Sequence, residues 1–146
     1  MAPRSALLPG ESETQMPEEV STLRLYLMRS LYLLNFAGLG LSVWPGLIQH
    51  QGAWDPLQAV AVCFWAALSV LMGLGIRYPL KILPLLLLQL FYKSVWLIAV
   101  ALPLWSAGRS TDLTKPFVIG VILELIVIPW PYVLTYYVKK RGDRWR

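Results

Sequence analysis

Two ionisable residues, Lys93 and Glu124, lie inside stretches of sequence that are otherwise apolar. Lys93 falls near the middle of residues 80–105, LKILPLLLLQLFYKSVWLIAVALPLW, and Glu124 falls within residues 117–138. A charged group at the centre of a bilayer costs a few kcal/mol on insertion scales, so such residues usually face a bundle interior and pair with an opposite charge. Because Glu124 is the only acidic residue within another apolar stretch, we expect it to pair with Lys93.

Three further polar residues fall at a common depth in these stretches. Counting about 1.5 Å per helical residue from the basic end of each stretch puts Asn35, Ser69 and Gln89 roughly 10 Å into the apolar region. Lys93 follows Gln89 by one helical turn on the same face, and Glu124 lies a few Å further out. The predicted intramembrane polar cluster therefore consists of Asn35, Ser69, Gln89, Lys93 and Glu124.

Three interpretations of this polar cluster stay open at the level of the sequence. Polar contacts between membrane helices contribute roughly 0.6–2 kcal/mol each and determine which helices are neighbours, so the cluster can be purely structural. An intramembrane Lys and Glu can instead mark a path for a proton, an ion or a ligand. In the third interpretation Lys93 extends to the interface and Glu124 is protonated, without contact between them.

The composition indicates an integral membrane protein. Hydrophobic residues make up 57% of the 146 residues and charged residues only 14%, whereas soluble domains carry about 25% charged residues. Mean hydropathy is +0.56. The net charge of +5 does not indicate nucleic-acid binding, because the basic residues flank apolar stretches instead of forming a stripe.

The residues that commonly carry catalysis are scarce. Cys63 and His50 are the single cysteine and the single histidine, which excludes an intrachain disulfide, a thiolate cluster and paired-imidazole haem ligation. The sequence has no catalytic-triad spacing, no glycine-rich phosphate loop and no acidic pair for metal-assisted chemistry. We therefore predict no enzymatic activity, no metal and no cofactor.

Capping residues and prolines bound the apolar stretches and predict an all-α bundle of four transmembrane helices. Asp55 and Pro56 are a typical cap and first turn for the second helix. The triplet Pro129-Trp130-Pro131 removes two backbone donors and predicts a kink in the last helix. The predicted segments are a disordered cytosolic tail at 1–16, a transmembrane domain at 17–138 with helices at about 17–48, 56–75, 79–105 and 115–138, and a basic cytosolic tail at 139–146.

Lys and Arg residues are concentrated on one side of the predicted helices. Cytosolic flanks of membrane proteins carry an excess of both, so the basic side is predicted to be cytosolic, with both termini there and the chain spanning the inner (plasma) membrane several times. The basic side carries Arg4, Arg24, Arg29, Arg77, Lys81, Lys139, Lys140, Arg141, Arg144 and Arg146, and the opposite side carries Arg109 and Lys115. The residues predicted to contact anionic lipid headgroups are Arg24, Arg29, Arg77, Lys81, Lys139, Lys140 and Arg141.

Small residues recur at helical spacing in the apolar stretches. In lipid, small side chains allow two helix backbones to approach closely, so these positions are predicted to pack helices together. They are Gly38, Gly40, Ala59, Cys63, Ala67, Gly73 and Gly120.

In size and topology the chain resembles small four-helix bacterial inner-membrane proteins, and its first helix resembles that of DoxX-like proteins. The shared pattern is an arginine before an apolar run that contains glycine, here Arg29 followed by Gly38 and Gly40. The resemblance covers one helix, and no function follows from it.

The small-residue stripes and the near absence of extramembrane segments favour one function class. We expect a non-enzymatic accessory or assembly subunit that packs as a homo-oligomer or in a larger membrane complex. The alternative is a small oligomeric transporter or channel that uses the Lys93 and Glu124 centre.

Overall fold

The computed structural model describes residues 20–140, and this part of the chain is helical without β-strands. The predicted all-α class is confirmed for these residues. The predicted tail at 1–16 and most of the tail at 139–146 lie outside the described residues. The helices are α1, Thr22–Ile48; α2, Pro56–Arg77; α3, Leu83–Ser106; α4, Thr114–Val127; and α5, Trp130–Lys139.

Three of these helices, α1, α2 and α3, are long and apolar enough to cross a membrane. Helices α4 and α5 pass the same test only together, and they are bent by 75° at the break between them. Residues 20–140 therefore contain three helices that are long and apolar enough to span a membrane, or four if the bent pair counts as one span.

The break between α4 and α5 falls at the proline triplet, where the sequence predicts a kink. Ile128 leaves the helix with ψ 127°, and Pro129 follows with ψ 82°. Proline disfavours helical backbone in the residue before it, and it has no N–H to continue the ladder. A continuous helix at 115–138 is thus replaced by two helices with different axes.

Two other helix starts differ from the predicted positions. Helix α1 begins at Thr22, where the Ser21 hydroxyl accepts a hydrogen bond from the backbone N–H of Arg24 at 3.3 Å. Helix α3 begins at Leu83 and not at 79, because residues 78–82 form a turn in which the Ile82 N–H donates to the Tyr78 carbonyl at 3.1 Å. Helix α2 starts as the sequence indicates, with the Asp55 carboxylate capping the N–H of Gln58 at 2.9 Å.

Helix α3 contains one wide turn shortly after Lys93. Residues Leu97–Ala101 are π-helical, and the Leu102 N–H donates to the Leu97 carbonyl. Pro103 follows directly, and its ring would clash with the carbonyl of residue 99 in a regular helix. The wide turn absorbs this clash and lets α3 continue without a sharp kink.

Helices α1 and α2 are joined by aromatic rings that lie against glycines. A Cβ on Gly75 would overlap the Tyr32 ring, and a Cβ on Gly73 would lie 3.1 Å from the Phe36 ring. The Tyr32 side chain is fully buried, and its hydroxyl donates to the Pro79 carbonyl at 2.9 Å in the turn between α2 and α3. This contact fixes the N-terminal half of α1 beside that turn.

Candidate functional site

Lys93 and Glu124 form an ion pair between α3 and α4. The Lys93 Nζ donates to the Glu124 Oε1 at 2.7 Å, and the two residues are 6% and 0% exposed. Lys93 follows the first residue of α3 by ten positions, and Glu124 follows the first residue of α4 by ten, which puts both about 15 Å along their helices. The pair therefore lies within the apolar part of both helices.

Gly120 leaves the space that the ammonium group occupies. A Cβ at this position would lie 2.7 Å from the Lys93 Nζ and 3.4 Å from its Cε. Because Gly120 precedes Glu124 by one helical turn, the lysine stem can lie flat on α4 and reach the carboxylate. Gly120 and Glu124 together form the site on α4 where the Lys93 side chain binds.

Asn35 and Gln89 form a second polar contact, between α1 and α3. The Gln89 Nε2 donates to the Asn35 Oδ1 at 2.7 Å, and the Asn35 Nδ2 donates to the Leu31 carbonyl at 2.9 Å. Gln89 is 2% exposed. Since Gln89 and Lys93 are one turn apart, α3 binds α1 through one side chain and α4 through the next.

Each of the two contacts leaves one buried oxygen without a hydrogen-bond partner among the described residues. These atoms are the Oε1 of Gln89 and the Oε2 of Glu124. Both are acceptors, and a buried acceptor without a donor carries an unfavourable desolvation free energy of about 1–3 kcal/mol. A water molecule or a ligand with a hydrogen-bond donor would remove that cost.

Ser69, the fifth residue of the predicted polar cluster, makes its hydrogen bonds elsewhere. Its hydroxyl accepts from the Trp44 Nε1 at 3.1 Å and donates to the Ala66 carbonyl at 2.7 Å. Ser69 lies at the α1–α2 interface, where a Cβ on Gly40 would be 3.9 Å from it. The structure thus brings together four of the five residues as two contacts on α3.

A cavity of about 550 Å³ adjoins both contacts. Residues of α1 and α4 form most of its wall, and α3 supplies Gln89, Tyr92 and Lys93. Most of the other lining side chains are apolar, including Leu39, Phe117 and Leu123. A space of this size and character suits a small amphiphilic molecule whose polar group faces α3.

Aromatic rings that the sequence did not single out connect three helices around the site. Tyr92 meets Phe64 edge-on at 6.1 Å and Phe117 at 5.9 Å between ring centroids, and Trp96 meets Phe117 at 5.0 Å. Tyr92 follows Gln89 by three residues, a spacing that could have identified it as a neighbour on the same face. Such edge-to-face contacts add about 0.5–1.5 kcal/mol each beyond burial.

The seven small residues predicted to pack helices have different surroundings. Gly40, Gly73 and Gly120 approach side chains of neighbouring helices, whereas a Cβ on Gly38 would meet nothing within 4 Å and Gly38 lines the cavity. On α2, Ala59 is half-buried, and Cys63 and Ala67 are exposed. Gly75, which the sequence suggested only as the end of the second helix, makes the tightest approach of all, to Tyr32.

Five of the seven basic residues predicted to contact lipid headgroups lie beside an aromatic ring or a carbonyl group. Arg29 lies over Tyr26, Arg77 and Lys81 lie over Tyr78, and Lys140 lies over Tyr136 at 4.8–5.6 Å from the ring centroids. The Arg24 Nη2 donates to the Ile126 carbonyl at 3.2 Å. Lys139 is exposed, and Arg141 lies outside the described residues.

Known proteins give no further indication of what this site does. No protein-family model matches the sequence, and no curated protein or solved structure is significantly similar to the chain. Within residues 20–140 no three His, Cys, Asp or Glu side chains are grouped so that they could hold a metal ion. The arrangement itself offers a desolvated charge pair, two free acceptors and an adjoining cavity.

Proposed function

We propose that the protein is a non-enzymatic accessory or assembly subunit that packs with copies of itself or in a larger membrane complex. The observation that carries it concerns two stripes of small residues on α2, one formed by Ala59, Cys63 and Ala67 and the other by Ser69 and Gly73. Ser69 and Gly73 face α1, whereas Cys63 and Ala67, about 100° further around the helix, are exposed. A small-residue face that no helix within residues 20–140 covers suits close approach of a helix from another subunit.

Cys63 allows this proposal to be tested without adding any residue. It is the only cysteine of the chain and it lies within the exposed stripe. Oxidative crosslinking in native membranes, and crosslinking with thiol-reactive reagents of increasing length, should yield products of defined mass that Cys63→Ala abolishes. A discrete homodimer indicates self-association, and a discrete heavier band indicates a larger complex.

A cysteine at Ile122 in the Cys63→Ala background is the matched control. Ile122 is 51% exposed and lies about 12 Å along α4, near the depth of Cys63 on α2. The proposal requires that Cys63 crosslinks clearly faster than the control cysteine. Crosslinking of Cys63 no faster than that of the control cysteine, or only monomer at every reagent length, would contradict the proposal.

We further propose that the chain makes four spans with both termini in the cytosol of a bacterial cell, in the inner membrane. The support is the distribution of Lys and Arg, ten on the N-terminal and C-terminal side against Arg109 and Lys115 on the other. Reporter fusions at Gln51 and Ser110 should then report the periplasm, and fusions at Tyr78 and the C-terminus should report the cytosol. A cytosolic signal at Gln51 would contradict this orientation.

A second candidate function is transport or conduction through the Lys93–Glu124 centre of an oligomer. The specific observation that favours it is the cavity of about 550 Å³ that reaches Lys93 and Gln89, the second of which carries a free acceptor. Intramembrane ionisable residues beside such a cavity commonly mark the path of a proton or an ion. Because the wall of the cavity is mostly apolar, a proton or a small amphiphile suits it better than a hydrated metal ion.

Flux measurements separate the two candidates. Purified protein in liposomes should be compared with Glu124→Gln, which keeps the shape of the side chain and removes its charge, and with Lys115→Gln as a control outside the site. Transport predicts proton or ion flux that Glu124→Gln removes and Lys115→Gln preserves. Background flux in all three proteins contradicts transport of these ions and favours the subunit.

A further inference from the structure

We infer that α5 lies along the cytosolic surface of the membrane, where it binds anionic lipid headgroups, and that it is not part of a fourth span. The fourth crossing would then be made by α4 alone, and the short extended link at Ile128 and Pro129 would lie at the membrane surface. That this surface is the cytosolic one rests on the proposed topology. The position of α5 in the membrane interface does not depend on which side it is.

Helix α4 ends close to the edge of the apolar region. The Arg24 side chain reaches the Ile126 carbonyl at 3.2 Å, one residue before the end of α4. Arg24 lies in the first turn of α1, about 7 Å beyond Arg29 along the helix axis and away from the apolar part of α1. Since an arginine side chain spans a similar length, Ile126 lies close to the level of Arg29, at the edge of the apolar region.

An independent contact, between Tyr32 and Pro79, locates the same edge of the apolar region. Tyr32 on α1 donates from its hydroxyl to the Pro79 carbonyl, in the turn that carries Arg77 and Lys81. A turn with basic residues on both sides belongs at the headgroups. Arg29 lies one turn closer to the start of α1 than Tyr32, so it too is at headgroup level, as is the end of α4.

Helix α5 runs in a different direction from α4. At the break the axis turns by 75°. A helix that turns through such an angle at headgroup depth runs nearly parallel to the membrane plane. It has no apolar layer left to cross.

The side chains of α5 are those of an interfacial helix. Its ten residues include Trp130, Tyr132, Tyr136 and Tyr137, and aromatic residues with a polar edge are enriched at membrane interfaces. Tyr132 and Tyr136 stack with their rings 7° from parallel at 5.4 Å. Val133 is buried against the core cluster of the bundle, which holds one face of α5 on the ends of the other helices.

The partner is indicated by the positive charge at the end of this helix. Lys139 and Lys140 are exposed, and the Lys140 ammonium lies 4.8 Å from the centroid of the Tyr136 ring. Phosphate groups of acidic phospholipids suit two adjacent ammonium groups beside a row of interfacial aromatic rings. The occupant of this surface is therefore the anionic leaflet and not a soluble anion.

Spin-label depth measurements test the position of α5 directly. Nitroxides are placed one at a time at exposed positions 134, 135, 137, 138 and 139 of the Cys63→Ala protein in liposomes, and immersion is read from collision with oxygen and with a nickel chelate. An interfacial helix predicts depths that oscillate about a constant value. Labels at Val118, Ile122 and Ile126 of α4 are the internal control and should differ in depth by about 1.5 Å per residue.

A steady depth change from position 134 to 139 would overturn the inference, whichever its direction. A change toward the aqueous phase means that α5 completes a broken span, and a change toward the bilayer centre means that α5 re-enters the membrane. Either slope would amount to roughly 7 Å over these positions. Neither result is compatible with a helix that lies in the interface.

The lipid partner is tested with the label at Val138 in liposomes of phosphatidylcholine with and without phosphatidylglycerol. The anionic lipid should lower the mobility of the label, and the double substitution Lys139→Gln/Lys140→Gln or 0.5 M salt should remove most of the difference. Lys115→Gln should leave it unchanged. Equal mobility in both lipids, or a difference that survives the double substitution, would contradict headgroup binding by these lysines.

Discussion

The α1–α2 and α3–α4 interfaces are held together in opposite ways. Between α1 and α2, the rings of Tyr32 and Phe36 lie directly against Gly75 and Gly73, and shape complementarity is the main source of attraction. Between α3 and α4, a buried ammonium group and a buried carboxylate meet at 2.7 Å. One interface depends on the absence of side chains, and the other depends on the presence of two charged ones.

The kind of contact determines which substitution weakens each interface. A close apolar contact loses packing when an atom is added, and the loss is limited by how far the neighbours can shift. A buried ion pair is sensitive to the removal of one partner, because the charge that remains has no compensation. The two interfaces should therefore respond to different substitutions by different amounts.

The largest loss of stability is expected when one member of the ion pair is removed. Lys93→Met or Glu124→Leu alone should lower the free energy of unfolding by up to about 3–5 kcal/mol, because each strands a charge in the bundle. Thermal unfolding of the detergent-solubilised protein measures the loss. Lys115→Met, at an exposed position outside the pair, should change the stability by less than about 0.5 kcal/mol.

A smaller loss is expected from Gly75→Ala at the apolar interface. The added methyl group overlaps the Tyr32 ring, and overpacking of this kind typically costs about 1–3 kcal/mol. The same melting experiment on Gly38→Ala is the matched control, since its methyl group enters open space and alanine is the better helix former by about 1 kcal/mol. If Gly38→Ala were the more destabilising of the two, the close contact between α1 and α2 would not be what stabilises that interface.

The smallest loss of stability is expected at the contact between Asn35 on α1 and Gln89 on α3. Gln89→Leu removes the hydrogen bond to Asn35 and should lower stability by roughly 0.6–2 kcal/mol, the range for polar contacts between membrane helices. It also removes the buried acceptor without a partner, which offsets part of the loss. A loss as large as that of Glu124→Leu would mean that the Asn35–Gln89 contact, and not the ion pair, dominates the centre of the bundle.

Depth along the helices could be read from the sequence, but rotation about the helix axes could not. A single acid and a single lysine at similar depths indicate a pair, and Lys93 and Glu124 are 2.7 Å apart. The same count placed Ser69 with Asn35 and Gln89, yet Ser69 is turned toward Trp44. Depth constrains one coordinate of a side chain, and the direction it faces depends on packing with residues far away in the sequence.

The bend after α4 shows a second limit of the sequence. Two prolines predict that the helix is interrupted, but the 75° angle depends on the φ and ψ values that Ile128 and Pro129 adopt. Gly75 was similarly ambiguous, because a glycine near a helix end is a common stop signal as well as a site of close approach. Only the position of the Tyr32 ring distinguishes the two roles.

A double-mutant cycle on Lys93 and Glu124 shows whether the two side chains stabilise the centre of the bundle as a pair. The Lys93→Met/Glu124→Leu protein has no stranded charge, and replacing a whole buried pair by apolar residues is often neutral or stabilising. We expect the double variant to regain most of the thermal stability that each single variant loses. If the two losses simply add, the side chains do not interact and the ion pair at the centre of this bundle does not exist.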